Sequence, residues 1–98
     1  MIFHLAQQTD FAKLAETGFY VADSLYSEGF IHCSRKSQVS ATGSRYFKGR
    51  KDILLLTIDA QKLTAPLRYE ESTNYELFPH IYGKINAEAI TNYEKILF

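Results

Sequence analysis

The run Ile53-Leu54-Leu55-Leu56-Thr57-Ile58 constrains this 98-residue chain more than any other segment. It is an unbroken apolar stretch, preceded by the turn residues Lys48-Gly49-Arg50-Lys51 and followed by Asp59. Such a run suits a strand covered on both faces, at the centre of a sheet. A chain of this length holds one hydrophobic core, so a single domain over residues 1–98 must be built around that strand. Apolar residues at 46% suffice for such a core and are too many for a disordered chain.

The flanking segments supply the partners. Ile2 to Ala6 predicts a first strand. Thr9 and Asp10 then open a helix whose apolar face is Phe11, Leu14 and Ala15 and whose stop is Gly18. Phe19 to Gly29 has no clear period and is expected as a surface loop. Phe30 to Ser34 predicts a second strand, and Ser34 or Ser37 caps a helix to about Phe47, with Gly43 inviting close packing. A helical turn over Gln61 to Leu63 and a short strand from Leu67 to Glu70 follow. A constrained Phe78-Pro79 approach leads to another strand, Asn86 starts a helical turn, and Tyr93 to Phe98 is the last strand. Early helices and late strands point to an α+β fold, not a regular βαβ series.

Composition removes several function classes. Eleven basic against eleven acidic residues give no strong nucleic-acid signal and no attraction to a membrane surface. The N-terminal MIFHLAQQTD lacks the features of a signal peptide or a span, and the single cysteine, Cys33, cannot form an internal disulfide. A cytoplasmic location is the expectation. Residues 35 to 51 carry Arg35, Lys36, Arg45, Lys48, Arg50 and Lys51 with no acid, a run suited to a phosphorylated ligand or to a solvated face. Nothing in the sequence points to one oligomeric state.

The three histidines are the candidate chemistry. Side chains alternate along a strand, so His4 shares a face with Ile2 and Ala6, and His32 with Phe30 and Ser34. His80 follows a proline among apolar residues. Each imidazole therefore either completes a core layer or borders a pocket, where it can bind ribose or phosphate groups or act as acid or base. Zinc held by these histidines with Cys33 or Glu70 is disfavoured by spacing, because the adjacent His32 and Cys33 diverge on a strand, and no metal is expected. The same divergence weighs against a Cys33 nucleophile with His32 as base.

The strings IFHLA, SLYSEGFIHCS, ILLLTID, Leu67-Arg68-Tyr69-Glu70 and FPHIYG together resemble a mainly bacterial domain-of-unknown-function family, number 952. The resemblance covers nearly the whole chain. It implies an ADP-ribosyltransferase-like fold, a split, mostly antiparallel sheet with a few short helices and a cleft between the halves. A more remote likeness to RNA 2′-phosphotransferases matches Phe3-His4-Leu5-Ala6, Gly18-Phe19, Ile31-His32-Cys33-Ser34 and Ile58-Asp59-Ala60. Those enzymes carry a glycine and a threonine where Leu5 and Ala6 stand, and a preceding domain with no counterpart before this first strand, so the RNA-phosphate reaction is not implied.

By that resemblance His4 engages a ribose hydroxyl, with His32 and Ser34 beside it. Glu70 is the candidate for the carboxylate on the reacting side of the ribose, so Glu70 and His32 are the catalytic candidates. Tyr20, Tyr26 and Tyr82 are candidates to stack on a base or nicotinamide, and His80 completes the ligand-binding set. The expected activity is binding or transfer of NAD or another ADP-ribosyl compound, with NAD as substrate. The alternatives are a non-catalytic nucleotide or sugar-phosphate binding module, or an interaction domain whose histidines fill the core.

Overall fold

The computed structural model describes residues 1–98, the side chain of Thr73 excepted. The elements run β1 (Ile2–Gln7), α1 (Gln8–Phe11), α2 (Leu14–Thr17), β2 (Phe19–Tyr20), α3 (Ser24–Glu28) and β3 (Ile31–His32). A 3₁₀ turn (Lys36–Gln38) leads into α4 (Val39–Tyr46), followed by β4 (Ile53–Ile58), β5 (Leu67–Glu71), β6 (Leu77–Ile81), β7 (Ile85–Asn86) and β8 (Ile90–Lys95). The strands form three antiparallel sheets, ordered β1-β4-β8, β2-β7 and β3-β6-β5.

β4 occupies the middle of the first sheet, as its apolar run requires. Ile53, Leu56 and Ile58 are fully buried, and β1 lies antiparallel along it from Ile2 opposite Ile58 to Gln7 opposite Ile53. The core joins Ile2, Ala6, Leu56 and Ile58 of this sheet to Tyr20 and Ile85 of the second and Ile31 and Ile81 of the third. Burying each of the large aliphatic side chains stabilises by roughly 1.5–3 kcal/mol. The α+β, mostly antiparallel architecture with a few short helices agrees with the reading of the sequence.

Pro79 explains where the third sheet stops. It lies inside β6, not on an approach to it, and its carbonyl accepts from Cys33 N at 3.0 Å. The reciprocal bond cannot form because proline has no N–H. Pairing of β3 with β6 accordingly covers Ile31 with Ile81 and His32 with His80, then ends. Ser34, whose backbone groups face the opposite edge of the strand from those of Cys33, pairs with Phe3 of β1 through backbone bonds of 2.7 and 2.9 Å. That bridge joins the first sheet to the third.

Several local expectations are corrected. The loop expected over 19–29 contains β2 and α3, which are too short to generate a readable period; only the left-handed Gly29 that ends α3 left a mark. The helix expected from Asp10 begins at Gln8 and is divided, because Lys13 N bonds Asp10 O three residues back and tightens the turn. Neither Thr9 nor Ser34 nor Ser37 caps a helix; Gln38 instead accepts from Arg35 N at 2.9 Å at the start of the 3₁₀ turn. The last strand is Ile90–Lys95 and not 93–98.

The C-terminal residue packs back onto α4. Gly43 is buried, and a Cβ placed there would collide with the ring of Phe98, whose carbonyl also accepts from Gly49 N at 3.1 Å. Alanine at Gly43 gains about 1 kcal/mol of helix propensity but must expel that ring. In a urea-melt double-mutant cycle, Gly43→Ala should stabilise by about 1 kcal/mol in the Phe98→Ala background. With Phe98 present the gain should vanish or reverse, and simple additivity would show that the ring is not packed there.

Candidate functional site

A cleft of about 690 Å³ opens where the first and third sheets separate. Its lining includes His4, Leu5 and Gln7 of β1 and, hydrogen-bonded alongside, the segment His32, Cys33 and Ser34. Tyr20 forms part of the floor, α4 contributes Ala41, Thr42, Arg45 and Tyr46, and the loop before β6 contributes Ser72 and Glu76. Gln38 fixes the α4 wall to β6 through a 3.0 Å bond to the Leu77 carbonyl, and Arg35 lies 3.6 Å from Glu76.

His4 is tied at both nitrogens. Its Nδ1–H donates to the His32 carbonyl at 2.5 Å, so Nε2 is the lone pair, and the Tyr20 hydroxyl donates to it at 2.8 Å. Both residues are buried, His4 at 7% and Tyr20 at 1% exposure. Burial is the chief reason the His4 pKa falls to about 4, with the Nδ1 bond opposing and His32 adding to the fall. Burial, and then the nearby carboxylate of Asp10, likewise push the Tyr20 phenol well above its ordinary range. At neutral pH this pair is an uncharged imidazole accepting from an intact phenol.

A second polar cluster adjoins the cleft without lining it. Register pairs His80 with His32 across β6 and β3, and with Arg68 across β6 and β5. His80 Nδ1–H donates to Glu70 Oε1 at 2.9 Å, and the Tyr82 hydroxyl donates to the same oxygen at 2.5 Å. The hydrogen bonds from Tyr82 and then His80 hold the Glu70 carboxyl below the usual carboxylate range. Phe30 stacks on His80 with centroids 4.2 Å apart.

The sequence candidates therefore fall in two groups. His4, Tyr20, His32 and Ser34 border the cleft; Glu70, His80 and Tyr82 form the adjoining cluster; Tyr26 lies on α3 at 77% exposure and borders neither. His32 touches both groups. Its Nε2 lies 3.1 Å from Glu28 Oε2, and Glu28 itself borders the cleft.

Residues that sequence reasoning did not single out as site residues include Asp10, Asp23, Glu28, Gln38 and Glu76. Arg45 was visible only as one member of a basic run. Burial and the nearby Asp23 raise the Asp10 carboxyl above its ordinary pKa. Burial also pushes the Cys33 thiol up, so it stays protonated. Among the described residues no three His, Cys, Asp or Glu side chains are grouped to hold a metal ion, and no helix is long and apolar enough to cross a membrane.

Fold and site together define a small α+β domain with a polar and aromatic cleft at the parting of two antiparallel sheets. The chain belongs to the family described as protein of unknown function (DUF952), which matches residues 5–93. It is similar to the crystal structure of the protein CC0527 from Caulobacter crescentus, at 26% identity and a TM-score of 0.86, over 96% of this chain and 83% of that one. A double mutant of CC0527 gives 25% identity with the same TM-score and coverage. The CC0527 solution NMR structure gives a TM-score of 0.83 at 23% identity, over 99% of this chain and 84% of that one, and bears on the fold alone. No curated protein sequence matches the chain.

The depressed His4 pKa has a definite sign. The unfolded chain binds a proton near 6.5 and the folded one near 4, so His4 adds stability above pH 6.5 that is lost as pH falls toward 4. The loss attributable to this group should reach ~2 kcal/mol by about pH 5 and roughly 3 kcal/mol once both states are protonated. Urea melts across that range should show the slope in the native chain and a flatter curve in His4→Phe. Equal slopes in the two proteins would show that His4 is not the buried neutral group.

Proposed function

We propose that the cleft binds an ADP-ribosyl compound, NAD being the fullest example, and acts at its ribose, in an ADP-ribosyltransferase-like arrangement of the two parted sheets. The observation that carries this reading is the convergence of His4, Tyr20, His32 and Ser34, from separate segments, on one opening. Its volume lies within the range of small-molecule sites, and aromatic walls with a few polar groups are typical lining.

The charges suggest an orientation. Arg45 is the guanidinium on the cleft wall and suits a pyrophosphate, which it can grip in a bidentate fork. Asp10 and Asp23 lie toward Tyr20, where a cationic pyridinium ring is favoured and a phosphate is not. His4 has no spare nitrogen, so the Tyr20 oxygen, whose proton is given to His4, becomes the acceptor for a ribose hydroxyl. His32 is the imidazole left for proton transfer. Glu28, on the cleft and beside His32, is better placed than Glu70 to stabilise positive charge as a glycosidic bond loosens.

The test is a melting series with NAD, ADP-ribose and AMP. Ligand at ten times Kd should stabilise by about 1.4 kcal/mol, roughly 6–11 °C for a domain of this size. Arg45→Ala and Ser34→Ala should each weaken binding about tenfold. Loss of NAD over hours that His32→Ala stops would assign an enzyme, and binding without loss would assign a binding module. A flat melting temperature up to roughly 10 mM of every compound would remove the nucleotide reading.

A further inference from the structure

We propose that His80, held by Glu70 and Tyr82, positions His32: its Nε2 accepts the Nδ1–H of the His32 imidazolium, whose Nε2–H stays with Glu28. This deepens the reading of the cleft as a ribose site, but its geometry stands apart from any ligand. The two rings are register partners on one sheet face, with centroids 5.3 Å apart and planes at 79°.

His80 is 4% exposed and stacked on Phe30, which fixes its orientation. Glu70 accepts from the Tyr82 hydroxyl and from His80 Nδ1–H, so Nδ1 carries a proton, and in the neutral ring Nε2 is a lone pair. That Nε2 is buried and has no partner among the described residues. A buried acceptor without a donor is costly and uncommon, and asks for a state in which one arrives.

His32 is the neighbour that can supply it. Its side chain is about half exposed, 48%, so the ring can turn. In the neutral form Nε2–H is given to Glu28, leaving Nδ1 without a proton for His80. A proton added to His32 satisfies both sides at once. The charges facing the pair are Glu28 from α3 and Glu70 and Arg68 from β5, with Arg68 5.2 Å above the Tyr82 ring. His4, bonded to the His32 carbonyl, is neutral near pH 7.

The chemical consequence is a balanced acid–base step. As acid, the His32 imidazolium transfers its Nε2 proton to a ligand oxygen, and the N–H electron pair remains on Nε2. The neutral product is the Nδ1–H tautomer, held by His80, while His80 and Glu70 keep their own protonation. As base, the same atoms run in reverse. Glu70 and His80 are thus positioning residues, and His32 is the group that meets the ligand.

Imidazole ¹⁵N NMR on the full chain without ligand, titrated through the neutral and mildly acid range, tests this in the native protein, Glu70→Gln and His80→Phe. In the native protein His80 should keep its Nδ1 proton, and its Nε2 signal should move along the curve on which His32 gains a proton. Both variants should bind the His32 proton at least about threefold more weakly, beyond any change in melting temperature. An Nε2 signal that stays flat while His32 titrates, or equal proton affinity in all three proteins, overturns the proposal and leaves His80 a packing residue. If His80→Phe does not fold, the native Nε2 signal and Glu70→Gln still decide. Linked titration with no stabilisation by NAD keeps the relay and removes the nucleotide reading; stabilisation by NAD with a flat Nε2 does the opposite.

Discussion

One buried imidazole connects all three sheets. His4 stands on β1 of the first sheet, accepts from Tyr20 on β2 of the second, and donates to the carbonyl of His32 on β3 of the third. Hydrogen bonds in a low-dielectric interior are strong when complete and costly when broken, so this three-membered chain fixes the sheets relative to one another. It works only with a neutral ring, because a charged imidazole would require the Tyr20 phenol to stop donating. The His4–Tyr20 pair is therefore both a structural joint and part of the lining of the candidate site. Substitutions there change stability, so a test of binding at this point needs a stability measurement beside it.

How much of this could be read from the residues depends on range. The central position of Ile53–Ile58 was legible because burial on both faces writes itself into six consecutive residues. The strands bearing His4 and His32 were legible from alternation, whereas the hydrogen bond that brings His4 to the His32 carbonyl is a contact between segments that alternation does not encode. The position of Glu70 was not legible, since it depends on β5 pairing with β6 in a register that sets Glu70 opposite Phe78 and Arg68 opposite His80. Such pairing is a contact between segments, and no local pattern encodes it. The exposure of Tyr26 was not legible for a related reason: on a five-residue helix, no period tells which face looks outward.

The basic run from 35 to 51 shows how folding disperses what a sequence groups. Arg35 approaches Glu76, and Arg50 pairs with Asp52. Lys36 borders a separate groove beside Phe3, Leu55 and Phe98, whereas Arg45 reaches the cleft. The wall that a continuous positive face would have made is instead a cleft with four carboxylates, Asp10, Asp23, Glu28 and Glu76, and one guanidinium among its lining residues. A ligand that is anionic throughout would fit poorly. One carrying separated phosphate and cationic parts would be oriented by the cleft itself, through fields that low-dielectric walls concentrate.

Pro79 links these observations to the backbone. By denying the Cys33 carbonyl a donor, it ends the pairing of β3 with β6 after His32, while Ser34, on the other edge of the strand, bridges to Phe3. The same strand then carries His80 as the very next residue, on the face shared with His32. The residue that shortens β3 is therefore adjacent to the one whose ring meets the half-exposed His32 imidazole edge-on. A proline inside a three-stranded sheet weakens the ladder by one hydrogen bond. Restoring the donor at this position would complete the Cys33 pair and lengthen β3 along β6, while the Ser34–Phe3 bridge on the opposite edge of the strand would stay in place, so the two edges of this short strand are set independently.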